Sequence, residues 1–477
     1  MAKEIVLVPY PARLRRKPKA FRLTDNKLIR LLGPDVDECL SAGVHLQKFV
    51  KSELGMTWPL SASPSGPDKE VAVTLKLDRQ LAGKKPDPCA LQGYQLTISA
   101  TGVEAIAPTP AGIFYAVMTL CQLIRQFGRR LPGLAIDDRP DFASRGVMLD
   151  ISRDRVPTMT SLYELVDLLA SWKINHLQLY TEHTFAYRNH SLVWKNASPM
   201  TGQEVLELDR YCRARHIELV PNQNSFGHME RWLKHRRYRP LAEAPNGFVT
   251  PWGVRRPMGT TLCPTDPGSL KLVRSLFEEF LPHFSSTFFN VGCDETFDLG
   301  QGRSKNLCER RDPGRVYLDF LLKIYKLVKS HDRIMMFWGD IVMKHPELVD
   351  ELPRDLIAME WGYGHKHDFA GRCAKFAEAK VPFYVCPGTS TWNSVVGRTD
   401  NMLGNLKNAA KNGLAAGALG LLNTDWGDRG HWQPMPVSFG PYAYGAAVSW
   451  SLAASSKLDL ARALDLFAFR DLSLIHI

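Results

Sequence analysis

Beyond Ser144 the chain repeats one unit, a run of four to six apolar residues followed by a longer stretch whose apolar positions recur at three and four. The run suits a strand buried on both faces and the longer stretch an amphipathic helix, so the alternation predicts βα units around a parallel sheet. Eight runs qualify: Gly146–Ile151, His176–Thr181, Ile217–Asn222, Phe288–Val291, Ile334–Trp338, Leu356–Glu360, Val381–Cys386 and Ala418–Asn423. Helices predicted over Ser161–Trp172, Gly268–Phe284 and Tyr317–Ser330 fall between them. Eight units favour a closed (β/α)8 TIM barrel over an open sheet, giving an α/β protein.

Ahead of the barrel the pattern changes. Strand-like pieces at Ile5–Val8, Val71–Lys76 and Tyr94–Ser99 precede one long helix, Ala111–Gln126, in which Ile113, Val117, Leu120, Cys121 and Ile124 form a single apolar stripe. Ser61–Asp68 and Gly83–Pro88 read as turn-rich surface loops. This predicts a smaller α/β N-terminal domain over residues 1–140, with Asp137–Pro140 as its exit linker and a barrel domain over 141–477.

Composition narrows the function classes. With 45% hydrophobic and 23% charged residues the chain reads as globular rather than disordered or fibrous. No apolar stretch is long enough to span a membrane. The run Ile5–Val8 is too short for a signal-peptide core, so a cytoplasmic location is expected. Nine cysteines at irregular spacing form no Cys-x-x-Cys and no zinc-type cluster, and no motif asks for a metal or an organic cofactor. No phosphate-cradling glycine loop follows any strand, which disfavours a nucleotide enzyme. The net charge of +11 gathers at Arg13–Lys19, Arg231–Arg239 and Arg303–Arg315. Without a zinc finger, RNA-recognition signature or basic heptad helix, these clusters read as solvated faces rather than a nucleic-acid surface. A milder alternative is attraction of an acidic or sulfated glycan to the rim of the site. Nothing in the pattern specifies an oligomeric state.

The candidate chemistry lies where Phe288–Val291 ends on Gly292, Cys293, Asp294 and Glu295. A core would not accept two adjacent carboxylates, so they belong at the strand's C-terminal mouth, where barrel active sites are built. Neighbours in a regular strand face opposite ways, so the two acids can share a substrate only if the pleat breaks at Gly292. The alternative is an exposed loop pair, or a helix N-cap with its first-turn acid. Cys293 reads as a small packing residue.

The stretch Asn290-Val-Gly-Cys-Asp-Glu295 resembles the signature of family 20 glycoside hydrolases, the β-N-acetylhexosaminidases. The resemblance implies a retaining exo-hydrolase acting on a glycan with a terminal 2-acetamido-2-deoxy-β-hexoside. Its 2-acetamido carbonyl would attack the anomeric carbon to form an oxazolinium ion. Asp294 would accept the acetamido N–H and Glu295 would be general acid and then base. Arg145 matches an arginine that binds hydroxyls on the far side of the sugar. Glu182 stands in for an acid that orients a histidine, and His228, in a Gly-His pair, matches a histidine that lies close to the acid/base, although a lone histidine also suits a structural role. Trp338, Trp361 and Trp426 match tryptophans that box the acetamido methyl and floor the ring, although each also suits a barrel cap. Asp428 falls where relatives often carry a glutamate. Trp392 replaces a tyrosine that hydrogen-bonds the acetamido carbonyl, with an indole N–H as the remaining donor. Family members usually continue beyond Asp471–Ile477, which implies a shortened C-terminus. Two rivals stand beside this reading. One is a two-carboxylate barrel glycosidase with Glu360 or Asp340 as second acid, and the other a catalytically silent glycan-binding barrel.

Overall fold

The computed structural model describes residues 4–63, 70–85 and 87–471. The loops at 61–68 and 83–88 and the C-terminal stretch 471–477 therefore lie partly outside the described residues.

The N-terminal unit is a seven-stranded sheet. Its strands are β1 (Arg13–Arg16), β2 (Leu28–Leu32), β3 (Leu60–Ser61), β4 (Val71–Leu77), β5 (Tyr94–Ile98), β6 (Val103–Ala107) and β7 (Leu134–Asp138), in the spatial order β1-β7-β5-β6-β4-β2-β3. Two helices, α1 (Leu40–Leu54) and α2 (Pro110–Phe127), pack against it. Helix α2 starts on Thr109, whose hydroxyl accepts the Gly112 N–H, with Pro110 in the first turn where its missing N–H costs nothing. It is buried on nearly all sides because it lies between this sheet and the barrel, where Gln122 Nε2 donates to the carbonyl of Ser171 at 3.0 Å.

Two expectations for this region change. Ile5–Val8 is buried but is not a strand; side chains of α2 complete its backbone. Gln122 accepts from Val8 N–H at 2.9 Å and donates to its carbonyl at 2.6 Å, and Gln126 serves Val6 in the same way at 3.3 and 3.1 Å. Four helical residues rise about 6 Å and two extended ones about 6.6 Å, so amides spaced i and i+4 match alternate residues of an extended chain. Asp137 and Asp138, read as linker, end β7, which pairs antiparallel with both β1 and β5.

Eight parallel strands follow: β8 (Ser144–Asp150), β9 (His176–Tyr180), β10 (Glu218–Val220), β11 (Phe288–Asn290), β12 (Ile334–Trp338), β13 (Ile357–Trp361), β14 (Phe383–Cys386) and β15 (Gly420–Asp425). They run in the order β10-β9-β8-β15-β14-β13-β12-β11. The ring closes between its ends, where Asn290 N–H donates to Pro221 O at 2.9 Å and Gln223 N–H donates to Asn290 O at 3.0 Å. This is a (β/α)8 barrel preceded by a smaller α/β domain. One crossover departs from the rule: β12 reaches β13 through two 3-10 turns, Val342–Lys344 and Pro346–Glu351, instead of an α-helix. Inside the ring Met148, Val220, Met336, Met359 and Leu422 make a core of their own, topped by aromatic rings at the C-terminal mouth.

Candidate active site

The mouth of β11 is where the backbone leaves the pleat. Gly292, Cys293 and Glu295 have φ of +68°, +69° and +48°, left-handed values that turn the chain sharply after Asn290. L-residues occupy this region at a cost, and such strain persists only where the surroundings hold it. As a result two successive carboxylates reach one imidazole: His228 Nε2 lies 3.2 Å from Asp294 Oδ2 and 3.4 Å from Glu295 Oε2.

Two glycines make the turn possible. A Cβ on Gly292 would stand 1.7 Å from Asn224 Oδ1, and one on Gly227 would stand 2.1 Å from the carbonyl oxygen of Asp294. The glycine of the Gly-His pair thus lets the histidine loop lie against the acidic loop. Gly292→Ala is expected to lower stability by roughly 2–4 kcal/mol, from the left-handed penalty plus the clash. A urea midpoint equal to wild type would remove this account of the turn.

Charge in the site is graded. Burial alone would push the His228 imidazole down, but the Asp294 carboxylate and its hydrogen bond outweigh that and raise it to about 9. His228 is therefore a cation at neutral pH. Glu295 is held above the usual carboxylate range by burial, with the Asp294 charge adding to the shift and His228 opposing it. Its side chain is 35% exposed, against 7% for Asp294, so of the two it is Glu295 that faces open space. Asp294 Oδ1 is buried and has no partner among the described residues.

Around this pair Glu182 Oε1 accepts from Tyr180 at 3.0 Å, meets Arg153 Nη2 at 3.2 Å and stands 4.0 Å from His228 Nδ1. Its tighter contact is with the arginine rather than the histidine. Arg153 also donates to Asp150 Oδ2 at 2.8 Å, and its guanidinium sits over the rings of Tyr180 and Trp426 at 4.7 and 5.1 Å. Asp428 is partly buried within the field of Arg153 and Asp150. Asp340 Oδ2 accepts the Glu295 N–H at 3.4 Å. Burial and the Asp294 charge push the Asp340 carboxyl up to about 7.

The aromatic residues gather at the same mouth. Trp338 is fully buried at the end of β12, 6.0 Å from Trp426. Trp361 ends β13 and stacks on Tyr363 at 5.1 Å; Trp392 meets the same tyrosine edge-on at 5.0 Å. Trp426 donates its Nε1–H to Tyr363 Oη at 2.8 Å. The indole N–H groups of Trp338 and Trp361 are buried without partners among the described residues. The four tryptophans and Tyr363 form one box.

Arg145 does not join the site. It lies near the start of β8, five residues before Asp150 and so about 17 Å from the mouth. There it is fully buried, donating to the carbonyls of Phe142, Ala143 and Lys173 and lying over Trp450 at 4.8 Å. The guanidinium at the mouth belongs to Arg153, three residues beyond the strand. Asp150-x-x-Arg153 is the signal that separates the two, since a charge past the strand's end can turn into the mouth.

Tyr363 was also missed. Two residues beyond Trp361, it brings a phenolic hydroxyl into the box and so supplies the group that Trp392 lacks. That oxygen accepts from Trp426 and also meets the Thr424 hydroxyl.

Of the rival second acids, Glu360 points out of the barrel between inward Met359 and Trp361, held by His367 at 3.0 Å and by Arg372. Asp340 stands behind the Glu295 main chain. Cys293 is buried, and burial pushes its thiol far up, so it presents no thiolate. A cavity of about 340 Å³ opens beside Arg153, His228 and Glu295. A larger one of about 920 Å³ lies at the opposite end of the barrel, against Phe288, Ile334 and Tyr384, and contains none of these groups.

The chain is similar to known proteins in sequence and in fold. The Porphyromonas gingivalis (strain ATCC BAA-308 / W83) protein named Beta-hexosaminidase is 23% identical over 375 residues, covering 71% of this chain and 46% of that protein. The Lacto-N-biosidase of Bifidobacterium bifidum is 24% identical over 322 residues, covering 64% of this chain and 27% of that protein. The chain thus spans about half or less of the length of these curated relatives. In fold it is similar to the Flavobacterium johnsoniae chitobiase (FjGH20), with a TM-score of 0.77 at 19% identity over 99% of this chain and 73% of that one. Residues 4–139 match the family model for glycosyl hydrolase family 20, domain 2. Residues 142–390, more than half of the chain, match that for the family 20 catalytic domain. The chain belongs to glycosyl hydrolase family 20.

Proposed function

We propose that this chain is a retaining β-N-acetylhexosaminidase that removes a terminal, non-reducing 2-acetamido-2-deoxy-β-hexoside, with the substrate's own acetamido group as nucleophile. The observation that carries the reading is the buried, unpartnered Oδ1 of Asp294 beside an aromatic box. A buried carboxylate oxygen with a free lone pair is costly unless a ligand donor completes it. An acetamido N–H is such a donor, and its methyl fits among indole rings.

The proposed steps give each of these groups a task. Asp294 accepts the acetamido N–H and turns the carbonyl oxygen towards the anomeric carbon, while the Tyr363 hydroxyl donates to that carbonyl. As the carbonyl oxygen bonds to the anomeric carbon, the glycosidic bond breaks and Glu295 gives its proton to the departing oxygen. The oxazolinium ion carries positive charge, which the Asp294 carboxylate stabilises as it develops. Glu295, now ionised, takes a proton from water, whose oxygen attacks the same carbon from the vacated face while the oxazolinium bond from that carbon to the carbonyl oxygen breaks and restores the acetamide. Two displacements give net retention. The names of the relatives, a β-hexosaminidase and a chitobiase, point to the same substrate class.

The test compares aryl β-N-acetylglucosaminide with aryl β-glucoside, which differ only at the 2-position. A preference for the acetamido sugar of at least about 10³ in kcat/KM is expected, within the range that placing a nucleophile inside the substrate supplies. Equal rates would sink the acetamide mechanism in favour of a protein nucleophile.

A further inference from the structure

We propose that the cavity outside Glu295 is the leaving-group subsite and that it selects a sugar carrying an anionic group, held by Arg256 and Lys234 against the face of Trp252. This rests on Glu295 being the general acid. An acid that protonates the departing oxygen has the retained sugar on one side and the leaving group on the other. The box of tryptophans and Asp294 occupy the first side. The cavity runs from Glu295, Arg153, Glu182 and His228 out to Phe248, Trp252 and Arg256 and is lined by neither Asp294 nor any of those tryptophans, so its outer part, away from the box, lies on the second.

Its outer wall is the hairpin of Phe248–Val249 and Arg255–Arg256. That hairpin is tied to the catalytic loop by Gln301, which accepts the Val249 N–H at 3.0 Å and donates to the carbonyls of Val249 and Phe297 at 2.9 and 2.8 Å. The wall therefore holds a set position relative to Glu295. Trp252, at the hairpin tip, is 60% exposed and rests edge-on against Phe297 at 5.4 Å. A large exposed indole beside a sugar-cleaving acid is a stacking platform, and among the described residues its ring contact is Phe297.

The charge of the cavity is unbalanced. Arg153 is matched by Asp150 and Glu182, and Arg231 by Asp154 at 2.7 Å. Among the described residues Lys234, Arg256 and Glu230 form no ion pair, leaving two free cations against one acid on the lining. Lys344, over the Phe297 ring at 5.6 Å, lies next to this lining and within the field of Asp340. A concave wall with surplus positive charge raises the local concentration of anions, and a guanidinium and an ammonium lining one cavity suit a carboxylate or a sulfate ester.

The experiment measures kcat/KM on GlcNAc-β-1,4-glucuronic acid beside GlcNAc-β-1,4-glucose, an isosteric pair differing by one carboxylate. A β-GlcNAc-linked galactose with and without 6-sulfate forms the second pair, and an aryl β-N-acetylglucosaminide the reference. At low salt the wild type is expected to favour at least one anionic member by about tenfold, shrinking as salt is raised. Preference in the first pair identifies a uronate, in the second a sulfate ester. Arg256→Ala with Lys234→Ala should bring the ratio to within about twofold, and Arg256→Glu should reverse it. Brisk cleavage of the reference with ratios near one overturns the inference alone, as does a preference that survives both changes. No cleavage of any acetamido substrate overturns the hydrolase reading and the subsite together.

Discussion

Glu295→Gln is expected to lower kcat/KM on chitobiose by about 10²–10⁴, the range that a positioned general acid supplies. The loss should be smaller on aryl glycosides whose leaving group departs as a stable phenolate, because those need less protonation. The pH profile gives an independent check. Burial holds the Glu295 carboxyl above its ordinary value of 4.5, so its proton persists into less acidic solution and the rate falls as pH rises through the raised value. That basic limb should vanish in the glutamine variant. Stability follows the same sign. A carboxyl whose folded value is raised contributes stability that is fully present below 4.5 and is lost as pH rises through the folded value. The glutamine variant, which cannot ionise, should therefore melt no lower than wild type at neutral pH. A variant that stays active on chitobiose, or one that is inactive only because it unfolds, would remove Glu295 from the role.

Asp294→Asn should reduce kcat on acetamido substrates by about 10²–10³, in line with the loss of one preorganised charge at the developing cation. The amide is isosteric, so the fold has no reason to change. What does change is the field. Asp294 holds the His228 imidazole at about 9 against burial, and without that charge burial pulls it down. NMR titration should therefore show His228 losing its proton at clearly lower pH in the variant, with its protonated form no longer dominant at neutrality. An unshifted His228 titration together with unaltered kcat would mean that Asp294 neither binds the acetamide nor supports the imidazolium.

These two residues were legible in the sequence for a local reason. An apolar run cannot end on Gly-Cys-Asp-Glu inside a core, and a parallel strand that must end there presents its acids at a mouth. The barrel was legible for the same reason, since strands buried on both faces announce themselves as continuous apolar runs. Their observed limits lie within two residues of the pattern, as with Ile334–Trp338 throughout and Ala418–Asn423 against Gly420–Asp425. Where apolar content was ambiguous the reading slipped. Ile5–Val8 is as buried as a strand, but whether its backbone meets another strand or two glutamine side chains depends on a helix more than 100 residues away.

Sequence by itself thus determined that eight strands would form, where they would end and which carboxylates the fourth would carry, because burial period and charge are properties of neighbouring residues. Only tertiary structure decided which side chains share a site. Arg145 and Arg153 lie eight residues apart on the same stretch, and strand direction sends one to the floor and the other to the mouth. Tyr363 is held in the box by a hydrogen bond from Trp426, just past the end of β15. His228 is a cation because two carboxylates reach it through left-handed turns at Gly292, Cys293 and Glu295. Convergence of this kind depends on distances across the barrel, which no local run of residues encodes.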